Sequence, residues 1–176
     1  GHYVIYKADS IVYNDFTGNV DTFSYELKQY IEAQFTDNSG RICQRIERYK
    51  RQSDTTEWRI DKVWHSVKTE TTAEMVEDNI RFIKLTFPVK KNNKWNGNAY
   101  NNSEELIYKY ISVDEPYLIN NLYFDSTLTV LQNDYTTIIS RDYSVEVYAR
   151  NTGLIYKKYI NLQKEVTGVI KSGIDY

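Results

Sequence analysis

Cysteine, histidine, proline and long apolar runs are all scarce in this chain, and each scarcity excludes something. The single Cys43 rules out an intramolecular disulfide and any cysteine-built zinc site. Two histidines, His2 and His65, give no histidine-rich metal spacing. No apolar run approaches the roughly 18–20 residues that span a bilayer as a helix. Positive charge is not in excess: the formal net charge is −2, so no general basic field is available to hold nucleic acid. No Gly-x-Ser-x-Gly elbow or phosphate-cradling glycine loop occurs. Few cysteines suit the cytosol and many bacterial envelope proteins alike, so the count does not fix a compartment.

What is abundant is tyrosine, with 17 residues against two prolines and seven glycines. Tyrosine favours strands and joins an apolar ring to a polar tip, which suits sheets with one wet face. Such rings either only build strands or also make an adhesive surface for sugars or peptides. With 41% hydrophobic and 26% charged residues in 176, the chain is globular, large enough for a real core, and fits one domain over 1–176.

Alternation organises the chain. Asp142 to Gln163 is broken by Asn151-Thr152-Gly153, after which Leu154, Tyr156, Ile160 and Leu162 share one parity. Its first half reads as a strand or a short helix. Phe23, Tyr25, Leu27, Ile31, Ala33 and Phe35 fall on one face of another strand; Ser24, Glu26, Lys28, Glu32 and Gln34 fall on the other. Asp37 to Gly40 is a turn cluster, so Arg41 to Arg51 should return as a hairpin partner, although Arg41, Arg45 and Arg48 also fall at helical spacing. Within it Arg41, Arg45 and Arg51 share a face, and cross-strand pairing with Glu26 or Glu32 is the preferred reading over an anion site.

Glu57 to Thr69 alternates with Trp58, Ile60 and Trp64 in phase, and Thr71 to Asp78 reads as a helical turn. Ile80 to Phe87 changes phase midway, through a bulge or because both faces are covered, and Pro88 closes it. Lys90 to Ser103 is loop-like around Trp95, Asn96-Gly97 and Tyr100. Glu105 to Val113 reads as a strand, Asp114-Glu115-Pro116 as a break, and Leu122 to Val130 as a clean alternation. The expected fold is therefore mainly β, a β-dominated α+β chain with minor helix. Its strands form a single strongly curved antiparallel sheet, as a half-barrel or barrel.

Phe124-Asp125-Ser126-Thr127-Leu128-Thr129-Val130, then Tyr148-Ala149-Arg150-Asn151-Thr152-Gly153-Leu154-Ile155-Tyr156-Lys157-Lys158, resemble small exported lipoproteins of Bacteroidetes-type bacteria. Phe87-Pro88 to Trp95-Asn96-Gly97-Asn98 is similar to another stretch of theirs; Thr152 departs from their usual valine. The resemblance covers roughly Ile80 to Gln163 and rests on short motifs. It implies export to the periplasm or outer membrane, and a lipidated cysteine upstream of Gly1 as the only membrane attachment. It also implies a curved sheet like that of LolA/LolB-type lipoprotein carriers. It implies no reaction.

Catalytic residues are not expected. A nucleophilic Cys43 would need His65 as base and an orienting group; a small buried side chain is the simpler reading. Glu104-Glu105 and Asp114-Glu115 are strand neighbours that point to opposite faces, so neither pair converges on a substrate. Trp58 and Trp64 either line a ligand cavity in the curved sheet or fill it, and Trp95 and Tyr100 either face a partner or fold back over the core. These four aromatics are the candidate ligand-binding residues. The expected role is non-catalytic binding of an apolar small molecule, a lipid or an envelope protein, with no cofactor, metal or nucleic acid. The alternative is an adhesion or carbohydrate-binding module working through Trp95, Tyr100 and exposed tyrosines.

Overall fold

The computed structural model describes Gly1–Tyr176 and contains twelve strands and no helix. These are β1 (Tyr3–Tyr13), β2 (Val20–Thr36), β3 (Ile42–Arg51), β4 (Arg59–Lys68), β5 (Thr72–Glu77) and β6 (Ile80–Thr86). They continue as β7 (Lys94–Asn96), β8 (Ile107–Ile119), β9 (Leu122–Thr136), β10 (Ser140–Ala149), β11 (Gly153–Lys164) and β12 (Ile170–Asp175). The mainly β, antiparallel expectation holds, and the minor helix does not. Thr72–Glu77 holds good helix formers, yet it is hydrogen-bonded as a strand between β4 and β6. Tertiary pairing outweighs weak intrinsic preference there. The first half of the Asp142 segment is likewise strand, paired on both sides.

The chain gathers into two compact units that interleave along the sequence. The first comprises Gly1–Ala8, Ser24–Pro88 and Asn96–Glu105, and the second Asp9–Phe23, Val89–Trp95 and Leu106–Tyr176.

In the first unit the ladder order is β6-β5-β4-β3-β2 and the start of β1. The expected β2–β3 hairpin is present, closed at Asp37, whose carboxylate accepts the Ser39 and Arg41 N–H groups at 2.9 Å each. Three bulges reset the alternation. Glu32 is passed over between the Ile31–Ile46 and Ala33–Arg45 pairs, Asp61 between Lys62–Arg48 and Ile60–Tyr49, and Lys84 between Ile83–Glu74 and Leu85–Ala73. Each extra residue turns the rest of its strand over. The single face expected for β2 is therefore split: Tyr25, Leu27 and Ile31 lie on one side, while Ala33 and Phe35 join Lys28 and Tyr30 on the other. The buried apolar residues of this unit include Cys43 opposite Val67 on one face of the β3–β4 ladder, Ile46 opposite Trp64 on the other, and Ile83 in β6.

In the second unit the order is the end of β1, then β12-β11-β10-β9-β8-β7. The Asn151-to-Gly153 turn joins β10 to β11 as the glycine pattern predicted, with φ of 62° at Asn151 and 93° at Gly153. The break expected at Asp114-Glu115-Pro116 is not a turn. β8 runs through it with repeated register shifts against β9, and Asp114 takes a φ of 58°. A proline is tolerated where the ladder is already irregular. Tyr110 and Val130 are fully buried and pair across β8 and β9, and Val147, Ala149 and Ile155 pack with Tyr117, Phe124 and Tyr156. The buried Glu146 carboxylate accepts the Tyr148 hydroxyl at 2.6 Å and lies 3.5 Å from Lys157 Nζ. An interior carboxylate needs such partners to remain charged.

Candidate functional site: an aromatic groove in the first unit

The β2–β3 register brings unlike residues together on one sheet face. Glu26 pairs with Arg51, Lys28 with Tyr49 and Tyr30 with Glu47. β1 is held beside them by the Ile31 N–H, which donates to the His2 carbonyl at 2.9 Å. Trp58, in the segment entering β4, completes the arrangement. Tyr3, Ile5, Lys28, Tyr30, Tyr49 and Trp58 line a solvent-open groove of about 420 Å³.

Electrostatics fix several of these side chains. Arg51 Nε donates to Glu26 at 2.5 Å while its guanidinium lies 4.4 Å from the Trp58 ring centre. Lys28 Nζ stands 4.6 Å from the Tyr49 ring centre and 5.0 Å from that of Trp58, within cation–π range of both. The Tyr49 hydroxyl donates to Glu47, which also pairs with Arg45. That hydroxyl first, and Arg45 second, hold the Glu47 carboxyl below the usual range; the same bond pushes the Tyr49 phenol up. Arg45 also reaches Glu32 at 3.0 Å, so Arg45 and Arg51 make the expected cross-strand pairs with Glu32 and Glu26, whereas Arg41 pairs with Asp37 and Glu74 instead.

The four aromatic candidates do not meet. Trp58 lines the groove. The bulge at Asp61 puts Trp64 on the opposite face, buried, with its indole N–H donating to Asp78 at 3.2 Å and Arg48 stacked 3.9 Å from its ring centre. Trp95, in β7, leans on Tyr108 and Tyr110 with ring centres 5.9 and 4.6 Å away. Tyr100 is 49% exposed beneath the Arg81 guanidinium, 4.3 Å from its ring centre. Tyr3, Ile5, Lys28, Tyr30 and Tyr49 escaped sequence reasoning. Lys28 read only as one of the residues on the polar face of its strand, and only the register shows it opposite Tyr49.

Cys43 is fully buried, and burial pushes its thiol up, away from the thiolate a nucleophile needs. No three His, Cys, Asp or Glu side chains gather in a way that would hold a metal ion. What the groove offers chemically is flat ring faces, phenol hydroxyls and one ammonium. Compared with protein-family models, with curated proteins and with solved structures, the chain matches none.

Proposed function

We propose that this is a non-catalytic binding protein of the cell envelope whose ligand lies in the aromatic groove of the first unit. The observation that carries the reading is the convergence of Tyr3, Tyr30, Tyr49 and Trp58 from separate chain segments on one open wall. A saccharide fits this wall best. Sugar rings present C–H faces that stack on aromatic rings and hydroxyls that meet phenol tips, and they bind while half in water. Trp58 supplies the reporter: titration with neutral β-linked hexasaccharides should change its emission, and Trp58→Ala should abolish binding measured by calorimetry. If no hexasaccharide binds, or the variant binds as well as the parent, the reading fails.

A second reading places an apolar ligand or lipid in the concavity of a strongly curved half-barrel or barrel. The register shifts along the β2–β3, β3–β4 and β8–β9 ladders support curvature, since bulges bend and twist a strand. An acyl chain gains from complete removal from water, however, and an open groove gives it only one wall. Export, lipid anchoring and an envelope partner belong to the reading through the lipoprotein resemblance of Phe124–Val130 and Tyr148–Lys158. Fractionation of cells expressing the gene with all its upstream sequence tests that part.

A further inference from the structure

We infer that Lys28 makes the groove selective for acidic saccharides, with a uronate-type carboxylate seated on its ammonium. The inference rests on the groove being the ligand site and adds the charge of the ligand. Lys28 is the one charged residue among the six that line it. Its neighbours on the same face are already neutralised: Arg51 by Glu26 at 2.5 Å, and Arg45 by Glu32 at 3.0 Å and by Glu47. Lys28 differs from them. No carboxylate reaches its Nζ, and its contacts are the ring faces of Tyr49 and Trp58. The nearest acid across the ladder, Glu47, is engaged by the Tyr49 hydroxyl and Arg45.

Ring quadrupoles hold an ammonium in place without cancelling its charge. Half-buried and fixed between two aromatic faces, Lys28 is preorganised for an anion, and the ordering of its long side chain is already part of the fold. A pyranose carrying an equatorial carboxylate places an apolar ring face and a negative charge a few ångströms apart. That is the pairing the groove presents, with Trp58 or Tyr30 beneath the ring and Lys28 at its edge.

The test is calorimetric titration of the whole protein with trigalacturonic acid and with its neutral methyl ester, at low and at physiological salt. The acid should bind more tightly than the ester by about 10- to 100-fold, the worth of one charge-assisted hydrogen bond. The preference should shrink as salt rises. Lys28→Met should remove it, and Lys28→Arg should restore most of it; circular dichroism confirms that each variant is folded. Equal affinity of the parent for acid and ester, or an acid preference that survives in Lys28→Met, overturns the inference and leaves the groove standing. Binding of either sugar that Trp58→Ala does not weaken removes the groove itself. If neither sugar binds the parent, the acidic-ligand assignment is overturned, and the neutral hexasaccharides alone then decide whether the groove is a sugar site.

Discussion

Glu74 and Arg81 face each other across the β5–β6 hairpin, with Glu74 Oε2 2.8 Å from Arg81 Nε and 2.6 Å from Nη2. The Glu74 side chain is only 2% exposed, and Arg41 Nη1 approaches the same oxygen at 3.2 Å while Thr72 donates to the other at 2.9 Å. Every acceptor is used. Glu74→Ala strands the Arg81 guanidinium, about a third exposed, and leaves Arg41 with Asp37 as its only carboxylate, beside a new void. It should cost roughly 3 kcal/mol, the lower end for breaking a buried pair, because the arginines keep some water. Urea unfolding of the variant measures this, and a loss below about 1 kcal/mol would mean that the pair is solvated as surface pairs are.

Asp37 makes acid stability local. Backbone and side-chain hydrogen bonds from Arg41 hold its carboxyl well below the usual 3.8, at about 2. A depressed folded value means a stabilising contribution that is complete above 3.8 and is lost as pH falls through about 2. Asp37→Asn should therefore lower the melting temperature at pH 6 and narrow the gap from the parent between pH 4 and 2. Parallel melting curves across that window check it, and a gap independent of pH would contradict it.

Gly173 and Gly153 both have positive φ, yet they should respond differently to alanine. A Cβ on Gly173, at φ 128°, would sit 2.0 Å from the Asn161 carbonyl oxygen in the neighbouring strand; around Gly153, at φ 93°, the space is open. Gly153→Ala should cost on the order of 1 kcal/mol from backbone strain alone. Gly173→Ala should cost more than twice that, because β11 must move away from β12. Denaturation midpoints of the two variants give the ratio.

The thiol of Cys43 should be inert in the native state. It is fully buried, donates to the Arg41 carbonyl at 3.6 Å, and has its ionisation pushed up by desolvation. Reaction with a disulfide reagent should be slow in buffer and fast in denaturant, with the native rate tracking the opening of β3. Rapid native labelling would place the sulfur at the surface.

Trp64 and Trp58 should separate stability from binding. Trp64→Ala empties a buried site and removes one of the two donors to Asp78, the other being Lys62, which predicts a loss of roughly 3–5 kcal/mol. Trp58 sits half-buried at the groove, so Trp58→Ala should cost far less stability while altering ligand response. Thermal melts of the two variants, followed by circular dichroism, decide this.

The strands themselves were legible because period-two alternation survives in single segments, as in the β2–β3 and β10–β11 hairpins. The faces were not, since they depend on where a ladder skips a residue. Nothing in Lys62-Val63-Trp64 tells that Asp61 is passed over, so Trp58 and Trp64 read as neighbours although they stand on opposite sides. Pro116 misled for a related reason: it marks the end of a regular strand, while β8 is irregular enough to hold it. The groove was hidden for a further reason. Lys28 and Tyr49 are 21 positions apart and meet only through cross-strand registry.

The outermost strands bear on how such a tyrosine-rich β protein avoids aggregation. In the first unit the outer strand β6 is interrupted where Lys84 bulges, and the Ile83 N–H already donates to the Gly97 carbonyl at 2.9 Å. In the second unit the outer strand β7 is three residues long. A foreign strand needs a long, flat row of unmet donors and acceptors to add to, and neither border supplies one. Borders of this kind leave a second copy of the chain little to extend into a fibril.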